Sequence, residues 1–312
     1  MDTMMALRAH TRGGPERLAY ERAPIPSPGP GEVLIAVHAA AITFTELTWD
    51  LSWTRRDGSG RTPVIPSHEV SGTVAALGEE VTGLSVGQEV YGLIDFDRDG
   101  AAAEYATAPA DTLAAKPLSV SHVQAAALPL AALTAWQALM EHAALRPGEK
   151  VLVHGGAGGV GVYAVQLAAG LRAEVTATDI PGYAEFVLEL GARHFIDFTS
   201  QAFDQVVSGL DVVLDTVGGS TLERSYEVLH PGGRLVTLAA PPPAGRGDKH
   251  HVKDMFFVVR PDAQQLGHLA RMVDGGKLRP IVSQTFPLQA GREAFESVRL
   301  PHDPGKTILI VR

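Results

Sequence analysis

Lys150–Gly170, KVLVHGGAGGVGVYAVQLAAG, decides the fold. Lys150 to His154 is an apolar run of strand character, and Gly156, Gly158 and Gly161 follow it as G-x-G-x-x-G at the opening of a predicted helix, Val160 to Leu171. Each glycine has a separate reason: the first permits a tight turn, the second lets backbone approach a pyrophosphate, and the third allows close helix–strand packing. The helix N-terminus adds unpaired N–H groups and the positive end of a dipole. A strand, Glu174 to Asp179, comes next, and its terminal carboxylate lies about 20 residues beyond the glycines, where it can accept from ribose hydroxyls. Such a carboxylate repels a 2′-phosphate, and no Arg or Lys stands in Ile180–Ala184, although Arg172 or Arg193 could approach from elsewhere. Asp179 therefore leans toward NADH.

Outward from this unit the alternation continues. Tyr183 to Leu190 reads as a helix closing at Gly191, and His194–Phe198, Asp211–Asp215 and Gly233–Ala239 read as strands, with a helix over Thr221–Leu229. Repeated βαβ units specify a doubly wound parallel sheet of Rossmann type, an α/β class. Pro241–His251, PPPAGRGDKHH, reads as a mobile loop, with His250 and His251 a solvated pair. Upstream, His122 to Leu145 is helix-forming at nearly every position and ends at Arg146-Pro147-Gly148. The first third is different: Glu32–Ala39, Val70–Leu77, Glu89–Ile94 and Ala103–Ala108 are short β-like runs between turns, as in a small antiparallel or barrel-like domain. Thr307–Val311 is a strand without a following helix, expected to return to that first domain. The expected division is residues 1–121 with 287–312, and residues 122–286.

Composition narrows the class. Among 312 residues there are 26 basic and 35 acidic side chains, a net charge of −9, which disfavours nucleic acid and polybasic membrane contacts. There is no cysteine, which removes disulfides, thiolate nucleophiles and cysteine-held zinc. Met1–Pro15 lacks the apolar core of a secretory signal, and no apolar run reaches the ~20 residues that span a bilayer. A cytoplasmic protein acting on a small molecule is expected.

The blocks PSPGPGEVLIAVHAAAI, PVIPSHEVSGTV, VGQEVYG, GAAAEYATAPADTLAAKP, LPLAALTAWQAL, DVVLDTVGG and GKTILIV, in this order around the glycine motif, resemble the medium-chain dehydrogenase/reductase superfamily, specifically its zinc-free, quinone oxidoreductase-like (zeta-crystallin-like) branch. The resemblance implies a mostly-β GroES-like domain beside the Rossmann domain, an active site in the cleft and homodimers. It implies an NAD(P)H cofactor, NADPH being usual, held by Thr134, Gly156, Ala157, Gly158, Gly159, Val160, Gly161, Asp179, Val217, Leu238, Ala239, Phe257 and Val258. Zinc-dependent members hold metal with a Cys, a His-Glu pair and a second Cys. The corresponding positions here are Thr43, His68 with Glu69, and Leu130, a set that lacks the usual ligand types.

Catalysis is then assigned to Thr45, aligned with the superfamily's proton-relay hydroxyl and expected to orient a substrate oxygen or a water. His68 is either a relic that bonds backbone or an acid that assists protonation, and Tyr91 could polarise a carbonyl. Trp49 and Trp53 either line the substrate site with Thr43 or pack in the core. Without a metal, the favoured substrates carry their own charge acceptor: a quinone or an α,β-unsaturated carbonyl compound. The alternatives are a pathway-specific enoyl or ketone reductase of natural-product biosynthesis, and a non-catalytic dinucleotide-binding subunit.

Overall fold

A computed structural model describes residues 2–43, 45–300 and 302–312. Its contacts divide the chain into two units, residues 1–133 with 260–312 and residues 134–259.

The second unit is built on a six-stranded sheet. Its strands are β1 (Lys150–His154), β2 (Glu174–Asp179), β3 (His194–Asp197), β4 (Leu210–Asp215), β5 (Leu229–Thr237) and β6 (Lys253–Phe256). They are all parallel, in the order 3-2-1-4-5-6, the strand order of a dinucleotide-binding Rossmann sheet. The central strands are covered on both faces, which is why Val151, Leu152 and Val153, and Val212, Val213 and Leu214, run apolar without alternation. Strand order reverses between β1 and β4, so the turns leaving those two strands flank the switch point where such sheets bind ligands. The sequence reading placed β1, β2 and β4 within a residue. It missed β6, and Pro241–His251 is not all loop: Arg246–His250 is helical.

The first unit holds a seven-stranded sheet. Its strands run in the order Val282–Pro287, Lys306–Ile310, Glu32–Ala41, Glu69–Leu77, Glu89–Leu93 and Leu113–Ala115, with Tyr105–Pro109 also on Glu32–Ala41. A hairpin of Thr3–Ala9 and Leu18–Pro24 joins it through the core of Leu7, Leu18, Leu47 and Phe295. Lys306–Ile310 pairs antiparallel with Glu32–Ala41, as the return strand expected from the sequence.

The contact division falls after residues 133 and 259, where the sequence reading divided the chain after residues 121 and 286, and helix packing accounts for the difference. Helix His122–Ala126, closed by a Ser121/Gln124 capping box, buries Ala126 and Ala127 with Ala39, Ala41 and Ile308 of the first sheet. Helix Ala263–Asp274 buries Leu266, Leu269, Ala270 and Val273, and its Asp274 carboxylate accepts from Ser119. Both helices therefore belong to the first unit. The long helix read from His122 onward is also broken: it restarts at Pro129, ends as an α-helix at Trp136 and continues as a π-helical segment, Gln137–His142. Among the described residues no helix is long and apolar enough to cross a membrane.

Candidate functional site

In the second unit the chain leaves β1 through Gly155, at φ +72°, and enters helix Gly161–Gly170 on its third motif glycine. A Cβ at Gly161 would stand 1.9 Å from the Gly155 carbonyl oxygen, and one at Gly156 would stand 2.8 Å from Ala177 Cβ. The turn is thus tight, and Val162 and Tyr163 N–H already donate within it, to the Gly158 and Val160 carbonyls at 3.1 Å each. Asp179, at the end of β2, accepts from Ala157 N–H at 2.8 Å and from Ile180 N–H at 2.9 Å. The carboxylate pins the glycine turn and keeps lone pairs for ribose hydroxyls. Arg193 pairs with Glu174 at 3.1 Å, and Arg172 sits two residues before Glu174, so both arginines belong to the opposite end of β2 from Asp179. These residues fit a dinucleotide.

Beyond β4, Asp215 is fully buried and accepts from Val217 N–H at 3.0 Å, Gly218 N–H at 2.9 Å and the Thr237 hydroxyl at 2.8 Å. It ties the ends of β4 and β5 together. Leu238 N–H donates to the Asp215 carbonyl at 2.9 Å, and Ala239 N–H to Thr237 Oγ1 at 3.2 Å. Val217 and Val258 expose apolar surface just past β4 and β6, Phe257 lies against His142 with ring centroids 4.3 Å apart, and Thr134 is buried. His154 closes β1: its ring nitrogens lie 3.1 Å from Thr178 Oγ1 and 3.0 Å from Ser225 Oγ. Burial pulls its pKa down to about 4, so the ring is neutral at pH 7.

In the first unit the positions compared with the zinc ligands come together, but not around a metal geometry. His68 Nδ1 lies 2.9 Å from Glu46 Oε2 and its Nε2 lies 3.2 Å from the Arg98 carbonyl, so both nitrogens are committed to protein oxygens. The same Glu46 oxygen accepts from Ser67 N–H at 2.8 Å. Glu69 faces elsewhere: Oε1 is 2.5 Å from Lys306 Nζ, and Oε2 accepts from Leu130 N–H at 2.9 Å. Burial pushes the Glu69 carboxyl up, while the Lys306 ammonium pulls it back. Lys306 also donates to Thr43 Oγ1 at 3.3 Å. Thr43, Leu130 and a His68 with both nitrogens engaged do not fit tetrahedral zinc, and among the described residues no group of three His, Asp or Glu side chains is placed to hold a metal.

Three assignments need correcting or narrowing. Tyr91 is buried and its hydroxyl donates to the Leu266 carbonyl at 2.7 Å, with burial raising its pKa, so it fastens a helix and has no proton directed at a substrate. His68, with its ring nitrogens facing Glu46 and the Arg98 carbonyl, fits the reading in which it bonds protein groups near the site. Trp53 packs on the first core and donates from Nε1 to the Leu47 carbonyl at 2.8 Å, whereas Trp49 is half-buried, edge-on to Phe96 at 5.4 Å. Thr45 is half-buried at the start of the 3-10 turn Glu46–Thr48. A cavity of about 660 Å³ in this unit is lined by Arg8, Arg55, Arg61 and Arg98, and by none of these candidates. Arg8, Arg61 and Arg98 are there paired with Glu21, Asp99 and Glu32. The sequence reading did not single out Lys306, Asp215 or His154, which the structure buries beside the candidate residues. Each sits at a strand end inside an apolar run, and that placement was the one available signal.

Two family models match the chain: an alcohol dehydrogenase GroES-like domain over residues 29–118 and a zinc-binding dehydrogenase over residues 190–309. The human mitochondrial NAD(P)H oxidoreductase RTN4IP1 is 31% identical, the match covering 90% of this chain and 82% of that protein. A 2-methylene-furan-3-one reductase of Solanum lycopersicum is 33% identical over 89% of this chain and 71% of its own. Among solved structures, the quinone oxidoreductase of Coxiella burnetii superposes with a TM-score of 0.91 at 29% identity, covering 100% of both chains. The chain belongs to the medium-chain dehydrogenase/reductase superfamily, in its quinone oxidoreductase-like branch, and is an oxidoreductase with a nicotinamide dinucleotide cofactor.

Proposed function

We propose that the protein is a zinc-independent NAD(P)H-dependent reductase of quinones or α,β-unsaturated carbonyl compounds, with NADH preferred. The observation that carries this reading is the donor set: threonine and leucine stand where zinc-dependent members place cysteines, and the cation in contact with that set is Lys306. An isolated ketone would need strong polarisation from such a site, whereas a conjugated acceptor delocalises the added charge itself.

When bound, the reduced nicotinamide supplies a hydride. The chain's own part is to hold it and to receive charge. The glycine turn and Asp179 hold the adenosine end, and the turns fastened by Asp215 present Val217 and Leu238 toward the strand ends. Hydroxyls of Thr43 and Thr45 supply donors for a substrate oxygen, and the proton that completes reduction can come from water. The test is a fluorescence titration of NADH and NADPH, followed by turnover of the tighter binder with a panel of quinones and enones, alongside elemental analysis for zinc. Turnover by zinc-free protein is expected; stoichiometric zinc, or dinucleotide binding with no acceptor reduced, would discard the reading.

A further inference from the structure

The buried pair Lys306–Glu69 joins two strands of the first sheet that are not neighbours, across Glu32–Ala41. Lys306 opens an apolar strand, is 7% exposed, and is held by a carboxylate that is itself fully buried. A pair of that kind is expensive to desolvate and rarely stabilises relative to apolar replacements. Its geometry gives it a use.

An ammonium group donates and never accepts. The 3.3 Å contact between Lys306 Nζ and Thr43 Oγ1 therefore has the threonine oxygen accepting, and the hydroxyl hydrogen of Thr43 must point away from the lysine. A hydroxyl that accepts from a cation is also a better donor, because successive hydrogen bonds polarise one another in a low-dielectric site. The other end of the chain of contacts is fixed: Glu69 Oε2 is tied to Leu130 N–H in the first turn of helix Pro129–Trp136. Two of the positions that ligate metal in the zinc-dependent members, Thr43 and Glu69, thus contact one resident ammonium.

We propose that Thr43 is the hydrogen-bond donor to the substrate's carbonyl oxygen, and that Lys306, anchored by Glu69, is the positioning residue that aims and polarises it. This rests on the reductase reading and names its electrophile. In an enone, hydride adds to the β-carbon, the C=C pair moves to form the enolate, and the carbonyl pair passes to oxygen. The Thr43 hydroxyl stabilises that oxygen without giving up its proton. Water then protonates the α-carbon, leaving the acceptor reduced by two electrons and the dinucleotide oxidised by two.

The experiment compares wild type, Thr43→Val, Thr43→Ser, the paired change Lys306→Met with Glu69→Gln, and the triple variant. Changing Lys306 alone would strand a buried carboxylate, so the pair is removed together. With a cyclic enone at saturating dinucleotide, Thr43→Val is expected to lower kcat on the order of 100-fold, with dinucleotide Kd unchanged and most activity restored in Thr43→Ser. The triple variant should be no slower than Thr43→Val, since lysine and threonine act as one device. In parallel, 4-nitrophenolate is titrated into enzyme loaded with oxidised dinucleotide; its binding should weaken on Thr43→Val while binding of the neutral phenol does not.

Wild-type rates in Thr43→Val, or additive losses in the triple variant, would overturn the proposal. So would a paired variant changed in dinucleotide Kd alone, because the lysine would then serve the cofactor. If wild type reduces neither enones nor quinones, the reductase reading fails, and the nitrophenolate arm alone decides whether Thr43 is an oxyanion donor.

Discussion

At Asp179 one carboxylate meets two demands. It accepts from Ala157 and Ile180 N–H groups, which fixes the glycine turn, and in the proposed dinucleotide complex its charge would oppose an adenosine 2′-phosphate. Asp179→Ser is accordingly expected to raise the NADPH/NADH ratio of kcat/KM about tenfold or more by removing like-charge repulsion. It should also weaken NADH binding several-fold, as the turn loses an anchor. Steady-state kinetics with both dinucleotides check this, and an unchanged ratio would show that the carboxylate is only an anchor. Lys306 illustrates the opposite case at the same scale. Its chemistry depends on Thr43 and Glu69, both more than 200 residues away in the chain, and no local pattern in GKTILIV reports that company.

At the scale of the element, the turn between β1 and helix Gly161–Gly170 is tightly constrained. Gly161→Ala would put a methyl group 1.9 Å from the Gly155 carbonyl oxygen and 2.9 Å from Gly156 Cα, so the turn must open. Dinucleotide affinity should fall at least about tenfold, or about 1.4 kcal/mol, while the thermal transition remains cooperative; calorimetry and fluorescence titration separate the two. Gly170→Ala at the end of the same helix is the control, since nothing lies within 4 Å of the added carbon, and it should bind like wild type. Helix His122–Ala126 shows how an element's propensity and its allegiance are separate matters. The sequence marks it as helical through helix-forming residues at nearly every position, but its burial against Ala39, Ala41 and Ile308 assigns it to the first unit.

For the whole molecule, the buried His154 is one group that makes stability fall in acid. His154 falls to about pKa 4 from an ordinary 6.5, and burial also lowers His38 and His122, which stack with ring centroids 4.2 Å apart. A histidine with a depressed folded pKa costs nothing above about pH 6.5; below it the unfolded chain takes up protons that the folded one refuses, so stability falls as pH falls toward 4. His154 alone should remove about 2 kcal/mol between pH 7 and pH 5. Urea denaturation at both values measures it, and an equal loss in His154→Gln would show that the acid limb arises elsewhere. What the sequence determined by itself was whatever short-range chemistry dictates: the parallel sheet through βαβ periodicity, the glycine turn through steric demand, and the Asp179 position through its distance along one unit. It also ruled out cysteine-held metal, since no cysteine exists. What only the tertiary structure decided were matters of long-range company: Tyr91 spent on Leu266, His68 spent on Glu46 and Arg98, the helices on either side of the second unit packed into the first, and an ammonium brought to Thr43. Such contacts join residues whose separation in the chain carries no period, so burial and hydrogen-bond satisfaction in the folded state, rather than local propensity, select them.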